Sequence, residues 1–227
     1  MDPAREEMHI QALITALQRR VAGGDGWTET VDLQELFFRY TLDTTTDFLF
    51  GQSINTQFDQ SADNSFSRAF DRTQDGIALG ARLGSLFWLA HTPAFCRAVK
   101  TTHAFVEAYI RDAIRDRRQE ELAADKTPEA AGEDGPREEL RQDKKYRPLL
   151  ANLVRATQDP IELRDQLLSV LLAGRDTTAL TLSWLFLILA DARHAAFFRR
   201  LRAAVLESFG RQAGELSLDR IRSCHYL

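Results

Sequence analysis

The sequence has little cysteine and no large excess of either charge. Cys96 and Cys224 are the only cysteines among 227 residues, too few and too far apart for a disulfide framework or a zinc cluster. The 29 basic residues nearly balance 33 acidic ones, and the net charge of −4 argues against a nucleic-acid surface driven by charge. We therefore expect no nucleic-acid partner.

Long hydrophobic runs are also lacking. Residues 1–7 are charged where a signal peptide needs an apolar region. The most apolar segment, residues 167–190, is broken by Arg175 and Asp176, and its clean run, residues 179–190, is too short to cross a bilayer. We expect a buried helix there, with neither a signal nor a transmembrane segment in this sequence.

Glycine and proline are sparse and fall mostly where apolar patterns stop, while helical spacing dominates the rest. The sequence therefore predicts a mainly α, all-α fold. Between residues 64 and 89, Gly76, Gly80 and Gly84 weaken any long helix. Elsewhere, helices are predicted at about residues 10–21, 32–50, 98–122, 149–157, 159–191 and 195–209.

Composition changes sharply near residue 125. Of the 23 positions from Asp125 to Arg147, 13 are charged, with prolines and glycines between them. Seven acidic and six basic residues nearly cancel, which favours a tether over an electrostatic docking tail. We interpret residues 123–147 as a charged, mobile linker within a single domain spanning residues 1–227.

The longest predicted helix starts at Asp159-Pro160-Ile161-Glu162, which supplies an N-cap, an early proline and a glutamate three residues after the cap. Near its centre lies Ala173-Gly174-Arg175-Asp176-Thr177-Thr178, the central motif. Buried helices do not place polar groups centrally without cause. Successive residues of a helix point about 100° apart, and this spacing gives one face that carries Gln166, Val170, Ala173, Gly174, Thr177, Thr181 and Trp184. The small side chains near the centre of that face would let a flat ligand approach the helix closely.

The central motif has a functional and a purely structural interpretation. A threonine can bond back to the carbonyl four residues earlier, and glycine loosens the same ladder, so we expect the backbone to open slightly here. Asp176 lies off the small-residue face, as suits a proton carrier that reaches toward solvent. Alternatively the threonines are merely capped, and Asp176 pairs with Arg175, Arg164 or Arg193.

The motif A-G-R-D-T-T resembles the central-helix pattern of the cytochrome P450 haem-thiolate monooxygenases, Ala/Gly-Gly-x-Asp/Glu-Thr-Thr/Ser. Its context matches as well: D-P-I-E opens the helix, S-W-L-F-L-I-L-A follows the motif, and the next helix ends in E-S-F-G. The stretch from Glu35 to Gly51 is similar to the fungal branch that hydroxylates n-alkanes and fatty acids. The resemblance covers residues 27–122 and 147–227.

The resemblance implies roles for residues of the motif. Asp176 and Thr177 would be catalytic, with Thr177 hydrogen-bonded to the bound oxygen and Asp176 relaying protons. Room for haem b and oxygen would come from Ala173, Gly174, Thr177 and Thr178, and Val170 and Thr181 would shape the substrate pocket. The family also implies an NADPH-cytochrome reductase as partner, a lipophilic substrate and the endoplasmic reticulum membrane.

Several family features are missing. The haem loop Phe-x-x-Gly-x-Arg-x-Cys-x-Gly fits neither Cys96 nor Cys224, so no residue here is predicted to ligate iron. The Glu-x-x-Arg helix and the membrane anchor are absent too. We expect a partial cytochrome P450 fold that lacks the β-sheet portion and the haem-cysteine loop: a fragment of a monooxygenase, inactive and without stably bound haem, whose unpartnered apolar faces make it poorly soluble.

Two other classes stay open. A non-catalytic helical binding or adaptor protein would use the aromatic residues between Asn64 and Trp88 as a partner surface. A histidine-ligated haem or metal protein is less consistent with the sequence, because the five histidines show no ligand spacing such as HxxxH. They are His9, His91, His103, His194 and His225.

Overall fold

The computed structural model describes residues 3–20, 30–58, 65–125, 148–210 and 218–224. Within these ranges the chain forms α-helices and short 3-10 segments, with no strand, which confirms the mainly α prediction. The helices are α1 (Pro3–Gln18), α2 (Leu33–Phe50), α3 (Ser65–Leu83), α4 (Pro93–Asp125), α5 (Leu149–Ala156), α6 (Pro160–Ala190), α7 (Ala195–Phe209) and α8 (Leu218–Ser223); the 3-10 segments are Gly84–Ala90 and Ala192–His194.

The predicted starts of α2 and α6 are confirmed by their caps, whereas α1 begins at Pro3, earlier than the predicted residue 10. The Asp32 carboxylate accepts the Glu35 backbone N–H at 3.1 Å before α2, and the Asp159 carboxylate accepts the Ile161 N–H at 2.9 Å before α6. Each bond satisfies one of the amides that a helix N-terminus leaves open. Helix α2 stops at Gly51, whose φ of +81° is unfavourable for other residues.

Helix α3 differs from the expectation that glycines would interrupt it. It continues through Gly76 and Gly80 and ends only before Gly84, where φ is +54°. The reason is a close approach between helices: a Cβ atom on Gly76 would lie 2.1 Å from Cδ2 of Phe95 on α4. Gly76 therefore makes room for a ring, and packing against α4 outweighs its low helix propensity.

Helix α4 is longer than predicted at both ends. It begins at Pro93 and runs to Asp125, three residues into the predicted linker. The rest of that linker, residues 126–147, lies outside the described residues.

The chain folds into two compact units, residues 45–173 and the remainder. We call residues 45–173 unit 2. It is held by an aromatic cluster in which the ring centroids of Phe66 and Phe105 are 3.9 Å apart and those of Phe50 and Tyr109 are 4.4 Å apart, both pairs being stacked. Stacked aromatic pairs add to the stabilisation that burial gives. Arg164 of α6 and Glu107 of α4 form an ion pair at 3.3 Å at its edge.

Unit 1 comprises residues 1–44 and 174–227. The rings of Phe37 and Phe186 meet at 5.3 Å, and the Tyr40 hydroxyl donates a hydrogen bond to the Glu6 carboxylate. Burial and this bond raise the pKa of Tyr40 above its ordinary value. The N-terminal helix is thereby tied to α2.

No single helix among the described residues has both the length and the apolar character to cross a bilayer. The segments Pro160–Ala190 and Ala192–Phe209 meet both criteria only as a pair, and they are bent by 81° relative to each other.

Replacing the two α3 glycines tests the close approach. Gly76→Ala should destabilise the chain by about 1–3 kcal/mol, because the Phe95 ring must be displaced. Gly80→Ala is the matched control: its Cβ would meet Ala90 and Phe87 at an ordinary 3.8 Å, so it should stabilise the helix by about 0.5–1 kcal/mol. Urea unfolding followed by circular dichroism measures both, and equal stability of the two variants would contradict the packing.

Candidate functional site

Helix α6 buries one stripe of side chains, spaced four residues apart along its length. Such spacing places residues on one side of a helix, with a slow drift around it. The stripe consists of Leu163, Leu167, Leu171, Arg175 and Ala179. Four members are apolar, so Arg175 takes a core position in an otherwise apolar row.

The predicted ligand face lies on the other side of α6. Ala173, Thr177, Thr178 and Thr181 are exposed, and Val170 and Gly174 are half-buried. The described residues leave this face open. Asp176 and Thr178 each point about 100° away from Thr177, so the predicted site residues do not all share one side of the helix.

The backbone of α6 stays α-helical through the central motif, so the expected opening is not found. The Thr181 hydroxyl donates to the Thr177 carbonyl at 2.7 Å, and the Ser183 hydroxyl donates to the Ala179 carbonyl at 2.7 Å. These are the back-bonds that the sequence predicts for mid-helix hydroxyls. They add to the helical ladder here without breaking it.

Asp176 and Arg175 form an ion pair, with Nη1 and Oδ1 3.3 Å apart. Arg175 is only 5% exposed, and its guanidinium lies over the Phe38 ring of α2 at 4.8 Å from the centroid. The pairing of Asp176 with Arg175, one of the structural alternatives, is thus observed. The Phe38 contact was missed, because sequence separation gives no sign that α2 lies against this part of α6.

The cavities among the described residues include two open ones beside these helices. One, of about 480 Å³, lies in unit 1 between the start of α2 and the end of α6; we call it the Trp184 groove, and its walls include Leu33, Leu180, Trp184, Phe186 and Leu187. The other, of about 400 Å³, lies in unit 2 between α4 and α5 and includes Phe50, Tyr109, Pro148, Leu150 and Val154. Neither is lined by Val170 or Thr181, the predicted substrate-pocket residues.

Neither cysteine lies in the haem-loop pattern of the family. Cys96 is exposed on α4, while Cys224 is buried and its sulfur accepts the Ser208 hydroxyl at 3.4 Å. Within the described ranges, no group of three or more histidine, cysteine, aspartate or glutamate side chains is arranged to hold a metal ion. Among the described residues, the small side chains of Ala173 and Gly174 leave room for a flat group such as haem beside α6.

Comparison with protein families settles the relationship. The family model for cytochrome P450 matches residues 4–227, nearly the whole chain. The chain belongs to the cytochrome P450 family. A solved cytochrome P450, the P450DA heme domain, has the same fold, with a TM-score of 0.66 and 20% identity over 97% of this chain and 42% of that one.

Three curated cytochromes P450 show the same relationship in sequence. Cytochrome P450 52A13 of Debaryomyces hansenii is 34% identical over 99% of this chain and 42% of its own length. Cytochrome P450 52A1 of Candida tropicalis is 32% identical over 97% of this chain and 38% of its own length. Cytochrome P450 monooxygenase g430 of a Fusarium species is 32% identical over 98% of this chain and 38% of its own length. The chain thus spans about two-fifths of the length of these relatives.

The surface that the adaptor alternative needs is exposed. Leu86, Phe87, Trp88 and Leu89, in the segment Gly84–Ala90, are each about half exposed. Membership of the cytochrome P450 family nevertheless favours a haem enzyme over an adaptor.

The open side of α6 can be tested by replacing its large apolar residues. Trp184 and Leu187 are 63% and 61% exposed, so the double variant Trp184→Gln/Leu187→Gln should unfold within about 0.5 kcal/mol of the parent and be more soluble. Leu167→Gln, at a fully buried position, should lose about 3 kcal/mol or more. Urea unfolding and the soluble yield measure this, and a double variant as unstable as Leu167→Gln would contradict the exposure.

Proposed function

We propose that this chain is part of a haem-dependent monooxygenase that inserts one oxygen atom of O2 into a lipophilic substrate. In this proposal, the exposed side of α6 forms the wall of the oxygen-binding site. The observation that carries it is the placement of Ala173, Thr177 and Thr178 on the side of α6 that the described residues leave uncovered.

The composition of α6 supports this assignment. A helix that faces water on one side normally carries polar residues there, whereas a helix that is apolar all round is buried. The uncovered side of α6 carries large apolar residues, among them Leu172, Leu180, Trp184 and Leu187. Because the chain spans about two-fifths of its relatives, the remaining part of such an enzyme is available to cover that side.

Haem, when bound, supplies the chemistry that activates dioxygen and cleaves its O–O bond. The chain's own residues make room for haem and oxygen and hold the protons. Ala173 and Gly174 leave space beside the helix, and Thr178 adds a small polar edge. The Thr177 hydroxyl holds a proton toward the reacting oxygen, and the Asp176 carboxylate passes protons to it.

Substrate and partners follow from the relatives. The similarity of the stretch from Glu35 to Gly51 to the fungal branch that hydroxylates n-alkanes and fatty acids supports these as substrates. Val170 and Thr181 would lie beside the substrate. An NADPH-cytochrome reductase would deliver electrons, and the complete enzyme would work at the endoplasmic reticulum membrane.

Haem binding by the chain alone is the first test. Because neither cysteine lies in the family's haem-loop pattern, the chain should bind haem weakly and give no thiolate-type Soret band in the reduced carbon-monoxide spectrum. A stoichiometric complex with that band would contradict the assignment of a partial, inactive enzyme.

A chimera tests the catalytic role. In this chimera the chain replaces the matching segment of cytochrome P450 52A13. Thr177→Ala should reduce the product formed per O2 consumed by about tenfold or more, because a positioned proton donor is lost. Thr101→Ala is the control, since it removes an exposed mid-helix threonine hydroxyl from α4 in place of α6. An equal amount of product per O2 consumed in the two variants would contradict the role of Thr177.

A further inference from the structure

We propose that Arg175 is a positioning residue that holds the Asp176 carboxylate in one orientation beside Thr177. The inference rests on the proposed function, and it concerns a residue that the family pattern leaves unspecified. It is carried by the burial of Arg175 and by its contacts with the carboxylate of Asp176 and the ring of Phe38.

Burial of Arg175 is unfavourable unless the charge is compensated. The side chain is 5% exposed and follows Leu171 and precedes Ala179 in the buried stripe of α6. A charge removed from water is strongly destabilising unless it is paired. An apolar side chain would serve packing alone at this position, so the guanidinium indicates an electrostatic task.

The contacts of Arg175 define that task. Adjacent residues point about 100° apart around a helix, so the Arg175 side chain must fold along the surface of α6 to bring Nη1 within 3.3 Å of the Asp176 carboxylate. The Phe38 ring supports the guanidinium from the other side, at 4.8 Å. A planar cation against an aromatic face is a favoured and directional contact. Phe38 therefore fixes the guanidinium, and the guanidinium fixes Asp176.

Helix α6 carries a second Arg-Asp pair, whose contacts differ from those of Arg175 and Asp176. Arg164 and Asp165 lie eleven residues earlier, which is about three turns and therefore nearly the same side of α6. Arg164 reaches Glu107 of α4 at 3.3 Å as well as Asp165 at 2.9 Å, and the Asp165 side chain is 61% exposed. That pair ties two helices together, whereas the Asp176 side chain is 29% exposed and its neighbour Thr177 faces outward.

The orientation of Asp176 can be measured without haem. The three-bond coupling between the Asp176 backbone nitrogen and its carboxyl carbon reports the χ1 angle, and NMR of the chain in the soluble Trp184→Gln/Leu187→Gln background gives it. We expect the value of one rotamer in the parent and a rotamer average in Arg175→Met. Arg175→Lys should restore part of the parent value, and Arg164→Met should leave it unchanged.

An unchanged Asp176 coupling in Arg175→Met would overturn the proposal. Methionine fills the space of the arginine stem, and the amide shifts of α6 report whether the fold is kept. If that variant does not fold, Arg175→Lys decides, because it keeps the charge without the planar group over Phe38. A lysine variant with the parent coupling would then contradict the role of the Phe38 contact.

The chimera separates this proposal from the proposed function. Arg175→Met should lower the product formed per O2 consumed about tenfold, Arg175→Lys should recover much of it, and Arg164→Met should match the parent. Combining Arg175→Met with Asp176→Asn should be no worse than Asp176→Asn alone, since both act through one carboxylate. A parent chimera that binds haem and makes no product contradicts the proposed function, while the NMR result still decides the positioning role.

Discussion

Helix α6 carries apolar residues on more than one side, and the described residues of the chain cover one of those sides. Its buried stripe, from Leu163 to Ala179, lies against the chain's own residues. The opposite side carries exposed Trp184 and Leu187 together with the hydroxyls of Thr177 and Thr181. The site, the predicted solubility and the proposed enzyme all follow from this asymmetry.

The central motif combines both sides within one helical turn. Arg175 points into the buried row, Asp176 is half-buried beside it, and Thr177 faces outward. Three adjacent residues thus connect the packed interior to the open face. In the proposed enzyme, a carboxylate held from the inside and a hydroxyl on the outside would form a short route for protons to the open face.

Local signals in the sequence were sufficient for much of the fold. Asp32 and Asp159 predicted helix starts because an N-cap acts within its own turn. The faces of α6 were predictable because helical periodicity determines which residues share a side. Contacts between distant segments were not predictable. From sequence alone Gly76 indicates a weak point in a helix, because the Phe95 ring that packs against it lies on another helix. Likewise, nothing near Arg175 in the sequence indicates its contact with Phe38.

The sequence was sufficient to predict which residues of the candidate site share a helix face, but it was not sufficient to predict what surrounds that face. Periodicity and the family resemblance brought Ala173 and Thr177 to one face, but whether that face is covered depends on chain beyond the helix. The described residues leave it open, and the relatives are more than twice as long as this chain.

Thiol labelling of residue 173 tests the central claim most directly. In the isolated chain, Ala173→Cys should react about as fast as the native Cys96, since both positions are exposed. In the haem-loaded chimera, labelling at position 173 should slow by about a hundredfold while Cys96 reacts as before. If both thiols keep the same rate in the haem-loaded chimera, the open side of α6 is not the wall of the haem site.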